Sequence, residues 1–456
     1  MKQVCPRIMI AGTNSGCGKT TLVSALLKNL LDHHFRLRAF KVGPDYIDPM
    51  FHSKAIGAPS GNLDPFFYED ETLRYLLGHN AAQWDLTLLE GVMGYYDGLD
   101  FTSSEASSFA LARRTQTPVV LVVNGRGAAR SLLALLEGFF NFEPGSGIRG
   151  VIFNRVSKGV YDRLKEAVSD HFGDRLLPLG FLPKDEAVGL GSRYLGLQRP
   201  EELTDLQKTL RRLSQLVEEN IDREGLLRLA ASAPDLEITA SPFQKQDAAV
   251  RIGLARDRAF CFYYEENLLA LRQLGAELVE FSPLDDAALP EKLDGLYLGG
   301  GYPELYMDRF QANESMRASL KESLDRGLPC IAECGGFMAL TQEIDGKEAV
   351  GFFPGGCENQ GHLVRFGYVT LTAEEDSMLL KKGEEVPAHE FHYYDASLRG
   401  KSYRARKRSG RSWPVAYCND HLYAGYPHLA FFSEAKLAAR FYQACLNFQK
   451  KREEGK

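Results

Sequence analysis

The chain has 456 residues, with no excess of positive charge, no cysteine pairing pattern and no apolar run of bilayer length. Lysine and arginine number 54 against 60 aspartate and glutamate, a net charge of −6. Bulk electrostatics therefore gives no reason to expect a nucleic-acid partner. The cysteines stand at positions 5, 17, 261, 330, 334, 357, 418 and 445, without a C-x-x-C pair or metal-type spacing. That pattern argues against a disulfide framework. The N-terminus lacks the charged-then-apolar pattern of an export signal, and nothing approaches the ~20 apolar residues of a membrane span. The expected location is cytoplasmic, with no membrane partner. There is no low-complexity segment and no repeat between the two halves. At 44% hydrophobic and 25% charged residues the composition is that of a globular protein, and the length exceeds one ordinary core, so two or three domains are expected.

What is present begins at residues 12–21, GTNSGCGKTT, between an apolar run (Ile8, Met9, Ile10, Ala11) and a helical pattern (Leu22, Val23, Ala25, Leu26, Leu27, Leu30). Strand, glycine-rich turn and helix form the context of a nucleotide phosphate loop, whose N–H groups and helix N-terminus face one anionic pocket. Asn14, Ser15, Gly16, Cys17, Gly18 and Thr21 belong to that cradle. Lys19 supplies charge for the β- and γ-phosphates, and Thr20 a hydroxyl for Mg²⁺. The strict pattern would place its first glycine at position 13, where Thr13 stands. A lysine that marks one large ATPase subclass is missing at Asn14 and Ser15.

Carboxylates recur at expected strand ends. Asp45 and Asp48 lie between Pro44 and Pro49 after the apolar run 37–43, which predicts a loop at the ligand-binding edge of a parallel sheet. Glu90 closes the run 85–90, and Asp97 follows in the next loop. A carboxylate at that position suits a magnesium ligand. Runs ending at Asn124 and Asn154, and another over 176–181, complete a series of strands alternating with helical stretches. The prediction is a doubly wound parallel α/β sheet. An amphipathic helix is expected over 201–231, with Leu203, Leu206, Leu210, Leu213 and Leu216 near a 3.6 period. The expected domains are 1–231, a polar linker 232–250, and a second α/β domain over 251–450.

In that second half Cys334 follows the apolar run 329–333 and precedes Gly335 and Gly336. The arrangement resembles a nucleophile elbow, with a helix N-terminus favouring the thiolate. Gly299, Gly300 and Gly301 would let backbone approach a ligand closely, and an N–H there, at Gly301, with that of Gly335 would form an oxyanion hole. A thiol needs a base, and the candidate is His428; the residues alone do not choose it over His362 or His389. His389 and His392, around Glu390, have a spacing open to metal ligation but no third cluster, which favours packed histidines at a strand end. Arg399, Lys401, Arg404, Arg406, Lys407, Arg408 and Arg411 form the one basic stretch. It reads as a solvated loop before contact with a polyanionic substrate or another domain.

Taken together, GTNSGCGKTT, KVGPDYIDPMFH, NLDPFF, LLEGVMGYYDG, RDRAFCFYYEENL, GGGYPE, AECGGFMAL, HEFHYYD and YPHLAFF resemble the cobyrinic acid a,c-diamide synthases across nearly the whole chain. The resemblance implies a dethiobiotin-synthetase-type ATPase domain, in which Thr13 marks a subclass, and a class I glutamine amidotransferase domain. It implies ATP as the nucleotide, Cys334 as the thiol that attacks glutamine and His428 as its activator. The family often reads Tyr-x-His-x-His-Phe here, but Ala430 replaces the second histidine, and no acid partner for His428 is identifiable. Thr20, Glu90 and Asp48 are the implied Mg²⁺ ligands. Asp45, Tyr46 and Asp97 are the implied contacts to a tetrapyrrole substrate. Hydrogenobyrinic acid and nickel sirohydrochlorin remain open as substrates, as does the oligomeric state. A phosphate-loop switch and a stand-alone glutaminase are the rivals of other classes.

Overall fold

The computed structural model describes residues 2–185 and 200–455. They divide into two compact units, Met1–Ala240 and Ser241–Lys456. In the first, seven parallel strands run in the order Ser60–Leu63, Leu37–Val42, Leu86–Glu90, Arg7–Gly12, Val119–Asn124, Ile148–Asn154 and Leu177–Leu182. Helices cover both faces of such a sheet, which is why the strands read as unbroken apolar runs and not as alternating ones. The strand Ser60–Leu63 was not apparent in the sequence, since SGNL has no apolar run.

The helix Lys19–Asp32 buries Leu22, Val23, Leu26, Leu27 and Leu30 in one core with Leu210, Leu213, Leu216 and Val217. Each such side chain contributes about 1.5–3 kcal/mol on burial. The expected single helix over 201–231 is two, Pro200–Asn220 and Arg223–Ala231. Asp222 breaks it: its carboxylate accepts the N–H of Gly225 at 2.8 Å and caps the second helix, the role in which a short acidic side chain outcompetes helix continuation.

A second difference falls on the loop expected at 45–49. Ile47–Met50 is a short α-helix, continued by a wider π-type turn Phe51–Ile56. Asp45 Oδ1 accepts the N–H groups of Ile47 at 2.8 Å and Asp48 at 3.0 Å. Pro49 lies in the first turn, where no backbone donor is required, so proline excludes a helix interior but not a helix start.

The stretch 232–250, expected as a linker, contributes to both units. Leu236–Glu237 pairs with Lys2–Gln3, and the Pro234 carbonyl accepts from buried Arg7 at 2.9 Å. Further on, the Gln246 N–H donates to the Leu274 carbonyl, and Phe243 packs edge-on against Phe432.

The second unit has a six-stranded sheet ordered Glu277–Phe281, Arg251–Ala255, Gly295–Leu298, Cys330–Glu333, Leu422–Gly425 and Tyr417–Cys418. Its first five strands are parallel, and the last is an antiparallel edge. A five-stranded antiparallel sheet accompanies it: Ser412–Val415, Tyr403–Arg406, Arg365–Ala373, Glu385–His392 and His428–Leu429. The basic stretch is therefore not simply a solvated loop but largely a β-hairpin. Arg404 pairs with Glu374 and Arg406 with Glu385. Arg399 is bound to Asp395, so much of the charge is met within the unit.

Candidate functional site

Both sheets carry their polar groups at the C-terminal strand ends, where the chain leaves a parallel sheet and side chains from neighbouring strands converge. In the first unit the phosphate loop follows Arg7–Gly12. Gly18 precedes the helix at φ 103°, a backbone region that glycine enters without a Cβ clash. A Cβ there would lie 2.0 Å from Asn154 Nδ2. That amide, at the end of the strand Ile148–Asn154, donates to the Cys17 carbonyl at 2.9 Å and braces the loop from beneath. Asn14, Ser15 and Gly16 form its exposed rim, while Cys17 is buried and Thr21 half-buried. The Lys19 ammonium donates to the carbonyls of Asn14, at 3.2 Å, and Met93. Burial lowers the Lys19 pKa, offset in part by nearby acids.

Beside this loop stands a buried charge cluster that sequence reasoning found only in part. Lys41 and Glu90 are register partners on adjacent strands. The Lys41 ammonium lies 2.9 Å from Glu90 and 2.7 Å from Asp48. Glu90 Oε1 accepts the Thr20 hydroxyl at 2.6 Å, and its other oxygen faces His52 at 3.2 Å. Burial opposes charge on Glu90, but Lys41, His52 and Thr20 outweigh it and hold the carboxyl well below the usual range. Burial likewise opposes charge on Lys41, and Glu90 and Asp48 outweigh it, holding the ammonium above the ordinary lysine range. Lys41 and His52 were passed over although both lie in KVGPDYIDPMFH. The signal was a lysine inside an apolar strand, a residue type rarely buried unless paired.

The other expected groups have local duties. Asp45 caps the short helix. Tyr46 is half-buried immediately before that helix. Asp97 Oδ2 accepts the Gly94 N–H at 2.7 Å and shapes the loop after Glu90. Among the described residues, no group of three or more His, Cys, Asp or Glu is arranged to hold a metal.

In the second unit three adjacent strand ends meet. Gly299–Gly301 follows Gly295–Leu298, Cys334 follows Cys330–Glu333, and the turn to His428 follows Leu422–Gly425. Cys334 has φ 50° and ψ −106°, a backbone strain of the kind that persists at functional turns. Its N–H donates to the Gly425 carbonyl at 2.8 Å, tying the elbow to the strand that leads to His428. A Cβ on Gly335 would lie 3.1 Å from the Gly301 nitrogen, and one on Gly300 would lie 2.8 Å from His428 Cε1. The Tyr302 N–H is taken by the Ala259 carbonyl at 2.9 Å.

The thiol does not behave as the helix N-terminus alone suggested. Burial pushes Cys334 up, the nearby Glu304 carboxyl adds to the shift, and the Gly335 N–H opposes it without prevailing. The helix it opens, Gly335–Leu340, has only six residues. The resting group is a protonated thiol, and attack on a carbonyl requires a base in concert. Of the histidines weighed for that task, His362 is exposed. His389 is the register partner of His428, and burial lowers it to about 3. His392 stacks on Tyr426 with ring centres 3.8 Å apart, and burial lowers it to about 4. Glu390, between them, is pushed up to about 7 by burial. His428 is 2% exposed, and its Nδ1 lies 3.6 Å from Glu333, the residue before Cys334. Glu333 was also overlooked, although an acid closing an otherwise apolar strand beside the nucleophile was visible in the sequence.

Two family models match the chain along these units. A CobQ/CobB/MinD/ParA nucleotide binding domain covers residues 8–194 and a CobB/CobQ-like glutamine amidotransferase domain covers residues 251–436. A cobyrinate a,c-diamide synthase of Thermoplasma volcanium is 39% identical over 456 residues, spanning 98% of this chain and 99% of the relative. One of Caldanaerobacter subterraneus subsp. tengcongensis is 39% identical, with 98% and 100% covered. One of Clostridium acetobutylicum is 37% identical, with 93% and 97% covered. With a phosphate-loop unit, an amidotransferase unit and full-length kinship of this degree, the chain belongs to the cobyrinate a,c-diamide synthase family of glutamine-hydrolysing ligases.

Proposed function

We propose that this chain amidates the a and c acetate carboxylates of cobyrinic acid, with ATP activating each carboxylate and glutamine supplying nitrogen. The observation that carries the reading is the pairing of two chemistries in one chain. Lys19, Lys41 and Glu90 adjoin a phosphate loop, and a strained Cys334 and a buried His428 follow neighbouring parallel strands of the second unit. Carboxylates do not exchange oxygen for ammonia unaided, because hydroxide is a poor leaving group. An acetate oxygen of the substrate attacks the γ-phosphorus of ATP and ADP departs, leaving an acyl phosphate. Lys19 and the loop N–H groups offset charge spreading over the transferred phosphoryl group.

Glutamine hydrolysis supplies ammonia. Cys334 Sγ bonds to the side-chain amide carbon as its proton passes to His428. The oxyanion is met by the N–H groups of Gly301 and Gly335. Collapse expels ammonia, which takes the proton from His428, and water then hydrolyses the thioester to glutamate. Ammonia displaces phosphate from the acyl phosphate, and two rounds give the diamide.

The oxygens of Thr20 and Glu90 suit a Mg²⁺, which binds through one or two protein oxygens and substrate phosphates. Thr20 and Glu90 are already 2.6 Å apart, whereas Asp48 is engaged by Lys41 and is the weaker candidate. Bound there, the ion would supply charge neutralisation at the β- and γ-phosphates. Asp45, Tyr46 and Asp97 remain the candidates for substrate contact.

A panel of cobalt, metal-free and nickel macrocycles tests the reading, with ATP hydrolysis as readout. Turnover is expected with the cobalt corrinoid. Turnover confined to another macrocycle would reassign the substrate, and stimulation by none would return the phosphate loop to a switch.

A further inference from the structure

A thiol and an imidazole suffice for hydrolysis only if the ring presents the correct nitrogen and keeps its orientation. Two residues beyond His428 the chain carries Ala430, so no acid follows the histidine there. A carboxylate reaches the ring from another strand. Glu333, the last residue of Cys330–Glu333, is 1% exposed, and its Oε2 lies 3.6 Å from His428 Nδ1. That distance is an ion-pair separation longer than a hydrogen bond, of the kind that tightens when substrate binds.

The carboxylate is held by donors alone. Glu333 Oε1 accepts the Leu429 N–H at 2.9 Å, and Oε2 accepts the Tyr297 hydroxyl at 3.1 Å. The Tyr297 oxygen accepts from Asn267 Nδ2 at 3.1 Å. The same amide donates to the Leu429 carbonyl at 2.7 Å, and its oxygen accepts the Phe431 N–H at 2.7 Å. One network therefore fixes both the anion and the backbone that carries His428. A carboxylate offers acceptors, and this donor set matches them. The adjacent strand carries three titratable groups here: His389, the register partner of His428, then Glu390, pushed up to about 7 by burial, and His392. Burial lowers the two histidines to about 3 and about 4, so both are neutral at physiological pH and supply no competing charge.

We infer that Glu333 is the positioning residue of the glutaminase centre, a role that rests on the assignment of Cys334 and His428 to glutamine hydrolysis. Its carboxylate holds the Nδ1–H tautomer, which turns the Nε2 lone pair to the thiol. When Sγ bonds to the amide carbon and its proton moves to Nε2, the imidazolium is stabilised by the adjacent anion. As ammonia leaves with that proton, the ring returns to the same tautomer. The acid thus sits immediately before the nucleophile, not two residues after the base.

The test is steady-state glutamine hydrolysis by the full chain, with ATP and macrocycle present, as a function of pH. For Glu333→Gln, kcat is expected to fall by about 10²-fold with KM within about threefold. The acid limb of kcat/KM should move to lower pH, because the imidazolium loses the anion that stabilises it. Glu333→Asp is expected to recover about tenfold of the loss. Tyr297→Phe removes a donor from the carboxylate and keeps its charge, so it should move the same limb to higher pH. A Glu333→Gln enzyme within about threefold of wild-type kcat, or one impaired with its acid limb unmoved, overturns the proposal. If Glu333→Gln fails to fold, Tyr297→Phe decides: an upward shift supports the role, and an unmoved limb overturns it. Wild-type glutamine turnover by Cys334→Ser would instead sink the assignment of the thiol, whatever Glu333 does.

Discussion

Lys41 and Glu90 face each other across adjacent parallel strands, with ammonium and carboxylate 2.9 Å apart and both side chains almost wholly buried. Two charges removed from water need each other, and the loss of either strands its partner. Their position at the C-terminal strand ends, with the Thr20 hydroxyl donating to Glu90, sets the pair beside the phosphate loop as well as in the core.

Replacing Lys41 by Met should therefore destabilise the first unit by about 3–5 kcal/mol, the usual cost of an uncompensated buried charge. Substrate-stimulated ATP hydrolysis should be lost with it. Combining Lys41→Met with Glu90→Leu and Asp48→Asn, so that neither acid is left without its cation, is expected to recover much of the stability and none of the activity. Urea unfolding beside ATPase assays checks both halves. A combined variant no more stable than Lys41→Met would argue against a mutually compensating cluster.

The same pair sets the acid limit of the unit. The folded pKa of Glu90 is depressed, and an unfolded glutamate titrates near 4.3. Its contribution is fully present above the unfolded value and is lost as pH falls below about 4 toward the folded one. Lys41 is raised in the fold, so its contribution is complete below about pH 10 and is lost only above that. Chemical unfolding across pH should show the acid loss in wild type, and Glu90→Gln should flatten it. An unchanged slope in the variant would move the acid sensitivity elsewhere.

Glu390 gives the opposite slope in the second unit. Burial raises it to about 7, so the folded chain keeps a proton that the unfolded chain releases near 4.3. Stability from this group is complete below about pH 4 and declines as pH rises through 7. Glu390→Gln should thus gain on wild type by more at pH 8 than at pH 5, by on the order of 1–3 kcal/mol. Equal gains at the two pH values would show that Glu390 is not the group responsible.

For Cys334→Ser, amidation is expected to vanish with glutamine and to persist with ammonium at a pH where free ammonia is present. In the proposed mechanism the thiol acts only in nitrogen release, and carboxylate activation falls to the phosphate loop. Loss with both nitrogen sources would overturn this division of labour, and retention with both would clear Cys334 of any role.

Gly18→Ala meets two obstacles, a left-handed backbone at φ 103° and the Asn154 amide 2.0 Å from the new carbon. Strain of about 1–3 kcal/mol at the loop should weaken ATP binding by about tenfold or more, read by calorimetric titration. Adding Asn154→Ala should relieve the steric part and leave the backbone part. Wild-type affinity in Gly18→Ala would remove the loop from nucleotide binding.

The sequence determined the local grammar. An apolar strand, a glycine-rich turn and a leucine-patterned helix sufficed to place residues 12–21, because each is set by neighbours in the chain. The same was true of Cys334 at a strand-to-helix turn and of the parallel α/β class of both halves. Helix breaks were less legible: Asp222 and Asp45 act through caps, and a cap depends on which N–H a short side chain reaches. What only the tertiary structure decided was which charges share a site. Lys41 meets Glu90 because two strands 49 residues apart lie in register. Glu333 meets His428 because strand order puts Leu422–Gly425 beside Cys330–Glu333. Burial, another product of the whole fold, turned the expected thiolate of Cys334 into a thiol. Spacing along a chain encodes turns and helix faces, but the energy of a buried charge depends on partners that only packing brings within reach.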